Sequence, residues 1–396
     1  MNTRTRLALA SAALTALAVT APTATASPSG PEPTPAPLVT AADAVPGRYI
    51  VTLDGSVDAA EAAGRLGLRP TFVYDKAING FAAPLTDLQL ATVRSTPGVT
   101  SVEEDAVAAA PPRPAESPAV RGPAAGWGLD RIDQPNLPLD DTFTTRGSGA
   151  GVTAYILDTG IDYAHAEFGG RAGSGFDAMG DGRLGQDCNG HGTHVAGTVA
   201  GSTYGVAREA ALVSVRVLGC DGRGTYSGMI AGLDWVAKNA RQPAVLNGSL
   251  GGDRSVALNN AATALYAAGV LPVIAAGNSA KNACDVSPAS ADGVLTVAAS
   301  DIGDRQTYFS NHGPCVELFA PGQDIVSARL GGGSLTESGT SMAAPHVTGV
   351  AALYLAEHPA ASPSEVAEWI DAHATADVLS DVTAGTPNRL LFTGGL

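Results

Sequence analysis

The chain is predicted to fold as α/β, a mostly parallel sheet sandwiched by helices, behind a small ferredoxin-like α+β domain. Three observations lead there. Apolar runs without alternation (AYILD, ALVSVRV, AVLNG, LPVIAA and GVLTVAA) take turns with helical stretches over the last ~270 residues, a length that suits one large domain. Strands buried on both faces read this way, and helical crossovers join them into a parallel sheet. Residues 46–107 instead run strand, helix, strand, strand, helix, strand. Finally, two Pro/Ala-rich stretches, SPSGPEPTPAP and AAAPPRPAESPAVRGPAA, are too poor in large apolar residues to pack and bracket that small domain.

Each element has a local reason. MNTRTRLALASAALTALAVTAPTATA opens with Arg4 and Arg6, continues with an apolar run from Leu7, and ends in Ala24-Thr25-Ala26. That is the order of a secretory signal peptide over residues 1–26, so the protein is expected to be secreted and extracellular. A Pro-rich linker then covers 27–45. GRYIVTL alternates as a strand, 58–66 and 86–95 read as helices, and PTFVYD, INGFAAPL and VTSVEED supply the remaining strands. The second linker, 108–125, leads to a domain over 126–396. No later segment approaches the ~18 apolar residues of a membrane span, so no membrane partner is expected. Ending at NRLLFTGGL, the chain is expected to carry no further C-terminal domain, and a monomer is expected.

A formal net charge of −15, with only three lysines, argues against nucleic acid, whose phosphates reward clustered cations. The carboxylates could instead hold calcium, or simply solvate a secreted surface. Cys188, Cys220, Cys284 and Cys315 read as disulfide partners in an exported protein, with three pairings open.

The polar residues of the large domain fall at strand ends and helix starts, where chemistry gathers in such sheets. Asp158 ends AYILD; His191 opens the helix of NGHGTHVAG; Asn278 ends LPVIAAGN. His194, one turn beyond His191 among small apolar residues, reads as a buried structural histidine. The pair lacks the Glu and the spacing of a zinc-binding helix. Ser341, in SGTSMAAPHVTGVAALYLAEH, heads an apolar helix. It reads either as a helix cap or as a nucleophile exploiting the amide donors of a helix N-terminus. A carboxylate, an imidazole, a carboxamide and a hydroxyl are the parts that acyl transfer needs.

The motifs YILDTGID, CNGHGTHVAGTVAG, NGSLGG, VIAAGN and GTSMAAPHVTG, in that order, resemble those of the subtilase family of serine peptidases. WGLDRIDQ and the cysteine layout resemble the aqualysin-like members of its proteinase K branch. The resemblance implies a subtilisin-like fold and hydrolysis of peptide bonds in protein substrates. Carried over by motif, Asp158 orients the base, His191 is general base and acid, Ser341 is the nucleophile, and Asn278 donates to the oxyanion. Gly224, Tyr226, Ser249, Leu250, Gly251, Gly252 and Gly277 match the substrate-binding edges, where an extended peptide adds as a strand. Three glycines there and no charged partner for P1 imply broad specificity with apolar or aromatic P1. The family's disulfides would pair Cys188 with Cys220 and Cys284 with Cys315, each worth ~3–4 kcal/mol for loops of about 30 residues. Calcium would be held by Asp130, Asp133, Gln134 and Asp140 at one place, and by Glu317 with carbonyls of Asp292 and Val294 at another. Asp177, Asp181 and Asp187 are candidates for a third. Residues 46–107 resemble the inhibitory propeptide of the family, an intramolecular inhibitor and chaperone released by self-cleavage within 108–125.

Competing readings are weighed on the same residues. A lipase or esterase would want G-x-S-x-G, which does not occur; a degenerate, non-enzymatic relative would lack a triad member. GSGAG (147–151) precedes a strand instead of following one, against a dinucleotide site. A Cys188–His191 nucleophile would need a free thiolate, which a disulfide removes. An independent binding domain is the alternative for 46–107.

Overall fold

The computed structural model describes residues 34–110 and 126–396, and the chain from Pro35 to Leu396 forms one compact unit. The signal peptide reading (1–26), residues 27–33 of the first linker and residues 111–125 of the second lie outside the described residues. The small sheet comprises β1 (Leu38–Val39), β2 (Ala44–Leu53), β3 (Phe72–Tyr74), β4 (Gly80–Pro84) and β5 (Val99–Ala109), with α1 (Ala59–Arg65) and α2 (Asp87–Arg94). Its order, β1-β5-β2-β4-β3, is ferredoxin-like once the extra edge strand β1 is set aside.

Two boundaries differ from the sequence reading. Leu38–Val39, inside the expected linker, pairs parallel to β5, and Ala36 is buried with its amide on the Arg94 carbonyl (2.7 Å). Likewise β5 runs past Asp105 to Ala109, into the second expected linker. Small, backbone-rich segments found partners that composition cannot reveal.

The large domain is built on α3 (Trp127–Ile132), β6 (Thr153–Asp158), β7 (Ala172–Asp177), α4 (His191–Ala200), β8 (Ala211–Arg216), β9 (Arg223–Thr225), α5 (Tyr226–Asn239), β10 (Ala244–Gly248), β11 (Gly252–Asp253) and α6 (Val256–Ala267). It continues through β12 (Leu271–Ala275), β13 (Val286–Ser287), β14 (Leu295–Ser300), β15 (Leu318–Pro321), β16 (Ile325–Ala328), β17 (Ser334–Glu337), α7 (Thr340–Glu357), α8 (Pro363–His373), β18 (Thr375–Ala376) and β19 (Arg389–Leu390). Nine strands form the main sheet in the order β18-β19-β15-β14-β12-β10-β6-β8-β7, all parallel except the terminal pair β18–β19.

Strand β6 shows why its sequence is apolar throughout. Ala154 and Ile156 join the core under α4 and α7, while Tyr155 and Leu157 join the opposite core under α5 and α6. Alternate side chains point to opposite faces, and both faces are covered. Two disulfides, Cys188–Cys220 and Cys284–Cys315, tie loops beside this sheet. Among the described residues no helix is long and apolar enough to cross a membrane.

Helix α7 carries a buried imidazole in its second turn. His346 is 1% exposed and donates from Nδ1 to the Met342 carbonyl (2.8 Å). Burial pushes its pKa down to about 4, although that hydrogen bond works the other way. An unfolded histidine titrates near ~6.5, so the unfolded chain binds the extra proton first. The contribution is therefore intact above about 6.5 and erodes as pH falls toward about 4, at up to ~1.4 kcal/mol per pH unit. Thermal melts of wild type and His346→Gln between pH 8 and 4.5 are expected to converge as pH falls. Parallel curves would remove His346 from the acid sensitivity of the fold.

Candidate active site

The carboxyl ends of three neighbouring parallel strands supply most of the site. Strand β6 ends in Asp158, β10 leads into Ser249–Gly252, and β12 leads into Gly277 and Asn278. Asp158 is fully buried; its Oδ1 accepts from His191 Nδ1 at 2.8 Å and from the Thr159 amide at 2.7 Å. His191 is the first residue of α4, and its neighbour Gly192 explains how the helix approaches so closely. A Cβ on Gly192 would lie 2.2 Å from the Gly160 carbonyl oxygen, so no larger residue fits without moving the turn after Asp158.

Asp187 braces this junction. Its Oδ1 accepts from Thr159 Oγ1, Asn189 N and Gly190 N, and its Oδ2 from Thr193 N and Oγ1. One carboxylate thus ties the end of β6 to the start of α4. Asp177 and Asp181 are engaged elsewhere, by Arg216 at 3.0 and 2.7 Å. The third carboxylate set considered from sequence does not converge on a common ion; a guanidinium and local amides satisfy it instead. His194 is buried with Nε2 near the carbonyls of Ile325 and Leu335, and burial lowers its pKa.

Ser341 is the second residue of α7, and it does not cap the helix. The N-cap is Gly339, at φ 154°, with no side-chain cap bond. Ser341 Oγ instead donates to the Ser249 carbonyl (3.3 Å). Asn278 Oδ1 accepts from the amide and hydroxyl of Thr340, at 2.9 and 2.8 Å, which fixes its Oδ1 and turns Nδ2 the other way. A Cβ on Gly339 would sit 2.9 Å from Asn278 Nδ2 and 3.6 Å from the Ser341 nitrogen. Two nitrogen donors therefore border one small volume that only glycine leaves open.

The substrate edges anticipated from sequence lie along a cleft of about 500 Å³ bordered by Tyr226, Leu250, Gly251, Gly252, Gly277 and Asn278. Gly224 and Ser249 differ: Gly224 forms the opposite edge, and Ser249 lies buried beneath Ser341. The cleft is also less uncharged than glycines suggest, since Asp253 and Lys281 pair at its border (3.1 Å). Strand β5 enters between the two edges. Ala108 pairs with Gly224, and Ala109 exchanges both backbone hydrogen bonds with Gly251 (3.2 and 3.1 Å).

Two acidic residues of β5 dock it. Asp105 accepts from the amide and hydroxyl of Ser227 at the start of α5; Glu103 accepts from Ala257 N and Ser255 Oγ at the start of α6. Carboxylates are favoured at helix N-termini, although burial raises the Asp105 pKa against the effect of the Ser227 bonds. Asp234 answers from the other side, accepting the amides of Asp75, Lys76 and Ala77.

Of the calcium candidates, Asp130, Asp133 and Asp140 are neighbours. Burial raises the Asp133 pKa, and the charges of Asp130 and Asp140 add to this. Asp130 accepts the amides of Asp140 and Asp141, and the Gln134 amide nitrogen donates to the Asn136 and Pro138 carbonyls. Glu317 is half-buried, desolvation pushes its pKa up to about 8, and Oε2 accepts from the Thr296 amide (2.5 Å). The Asp292 carbonyl accepts from Thr263 Oγ1, and Val294 is buried in the core under α5 and α6. Among the described residues no three metal-ligating side chains converge closely enough to hold an ion as they stand.

Sequence reasoning passed over Glu103, Asp105, Asn247, Thr340 and Thr348. The signal was there: Glu103 and Asp105 alternate on one strand face, and Asn247 and Thr348 are lone polar residues in apolar runs.

Comparison with known proteins agrees with this geometry. Residues 149–393, more than half of the chain, match the model of the subtilase family, and residues 67–109 match that of peptidase inhibitor I9. The chain is 46% identical over 380 residues to an extracellular serine proteinase of Thermus sp. (strain Rt41A), spanning 89% of this chain and 91% of that one. It is 49% identical over 331 residues to alkaline serine exoprotease A of Vibrio alginolyticus, spanning 84% of this chain and 61% of the relative. The crystal structure of a cold adapted subtilisin-like serine proteinase, 51% identical, superposes with a TM-score of 0.67 over 68% of this chain and 98% of that chain. An apolar parallel sheet, a buried carboxylate–imidazole pair and a serine at an uncapped helix start thus coincide with matches across both halves, and the chain belongs to the subtilase family of serine peptidases.

Proposed function

We propose that this is a secreted serine endopeptidase, made as a zymogen, in which Ser341 attacks the scissile carbonyl of protein substrates. The observation that carries the reading is the buried 2.8 Å contact from His191 Nδ1 to Asp158. With Nδ1–H donated to a carboxylate, the other ring nitrogen keeps its lone pair and can take the Ser341 proton, then return it to the leaving amine. The Asp158 charge stabilises the imidazolium that forms between those steps. Asn278 Nδ2 and the Ser341 amide supply the oxyanion donors, bordering the volume beside Gly339.

Protein substrates add as a strand between Gly224 and Gly251, the position that β5 takes in the zymogen. Open glycine walls favour an apolar or aromatic P1. Residues 46–107, with β5 in the cleft, act as the inhibitor, and self-cleavage falls within 108–125. An N-terminal signal over 1–26 and the extracellular relative from Thermus support secretion.

Calcium is the ligand that the donor chemistry fits best. Asp130, Asp133, Gln134 and Asp140 offer hard oxygens in one loop, and a cation would relieve the mutual repulsion felt at Asp133. Glu317 with the Asp292 and Val294 carbonyls would hold a second ion. The cation's part is structural, fixing loops that otherwise bring like charges together.

The test expresses the chain from Ser27 and follows intact mass and hydrolysis of chromogenic peptides. Wild type is expected to lose its propeptide and to cleave Phe or Leu at P1 faster than Arg, while Ser341→Ala does neither. Equal processing by both proteins would sink the assignment. Asn278→Ala should retain KM and lose ~10²–10³ in kcat, as removal of one oxyanion donor does; an unchanged kcat would remove Asn278 from the oxyanion site. EDTA should lower the Tm of the mature enzyme, and calcium should restore it; an unmoved Tm means no stabilising ion.

A further inference from the structure

Strand β10 contains an oddity the mechanism leaves unused. Asn247 stands in AVLNG, fully buried between strands β6 and β12. An amide there is costly unless every polar atom finds a partner. Its partners lead straight to the nucleophile. Asn247 Nδ2 lies 2.8 Å from Ser249 Oγ, and Ser249 Oγ lies 2.9 Å from the Ser341 carbonyl oxygen. On its other side Asn247 Oδ1 lies 2.9 Å from Thr348 Oγ1. Ser249 and Thr348 are also fully buried.

The direction of every bond follows from one end. The Ser341 carbonyl can only accept, so Ser249 Oγ must donate to it. The Ser249 oxygen then accepts from Asn247, which must present its NH2. Asn247 Oδ1 therefore faces Thr348, whose hydroxyl must donate, its proton shared with the Ala344 carbonyl at 3.1 Å. Thr348 lies on α7, two turns beyond Ser341. The relay thus leaves α7 at Ser341, crosses to β10, and returns to α7, pinning the helix start in register with the strand. The same Ser249 accepts Ser341 Oγ through its carbonyl.

We propose that Asn247, oriented by Thr348, is a positioning residue that holds Ser341 at the distance required for attack. The inference rests on the reading of Ser341 as nucleophile. Neither Asn247 nor Thr348 contacts substrate; both act through Ser249. Misplacing a reacting group by about 1 Å can cost ~100-fold in rate, which is the scale at stake.

Three changes of the full chain, each matured by immobilised wild-type enzyme, test it. Thr348→Val keeps the shape and removes the donor. Thr348→Ser restores a donor while losing a methyl group. Asn247→Asp keeps the shape and, as a carboxylate, offers Ser249 only acceptors. For each, kcat, KM, Tm and the rate of labelling by a fluorophosphonate are measured. Thr348→Val and Asn247→Asp should lower kcat and the labelling rate together by ~10- to 100-fold with KM within about twofold. Thr348→Ser should recover most of the loss despite its cavity. If Thr348→Val lowers only Tm and labels at the wild-type rate, the relay is merely structural and the proposal fails. Should Asn247→Asp not fold, the Thr348 pair still decides. Failure of the underlying reading looks different: Ser341→Ala would then label and cleave like wild type.

Discussion

The start of α7 must meet the carboxyl ends of β10 and β12, and the site depends on that meeting. Gly339 turns the chain at φ 154°, Thr340 donates twice to Asn278, and Ser341 exchanges hydrogen bonds with Ser249. Thr340 Oγ1 also accepts from the Gly277 amide (3.0 Å), so one side chain links two strand-end residues to the helix. Each such bond nets only about 1 kcal/mol. Their value is geometric: leaving any of these buried groups unpaired costs more than the bond contributes, so the arrangement has one low-energy form.

The same logic governs the carboxylate–imidazole half. Asp158 is held in a fully buried place, where an amide and an imidazole answer its Oδ1. Those partners are held in turn by Asp187, which joins the strand carrying Asp158 to the helix carrying His191. The Cys188–Cys220 disulfide ties the next residue of that loop to the segment before Gly224. The geometry of the carboxylate–imidazole pair is thus set by residues packed behind it.

Strand β5 lies along the cleft between Gly224 and Gly251, but its hold extends beyond the cleft. Asp105 lies under the first turn of α5 and Glu103 under that of α6, where unpaired amides and the helix dipole favour a negative charge. Small residues follow them along Val107–Ala109, which lets the backbone lie close to Gly224 and Gly251. Charge therefore anchors the strand where the helices are, and backbone pairing alone extends it toward Ser341.

Local pattern was enough for much of this. Apolar runs without alternation announced a sheet covered on both faces, because only a buried strand tolerates apolar side chains at every position. Asp158 and Asn278 at strand ends and Ser341 at a helix start were legible as isolated polar groups at element boundaries, and the ordered motifs named their family. Tertiary structure decided what no local pattern carries. Whether Ser341 caps its helix turned on Gly339 and on a strand about ninety residues away in sequence, since hydrogen-bond partners are chosen by proximity in space. Whether Asp177 and Asp181 meet an ion or a guanidinium turned on where Arg216 arrives. That β5 extends through Ala109 depended on two edges contributed by the other domain, because a strand of small residues exists only where its backbone groups find partners.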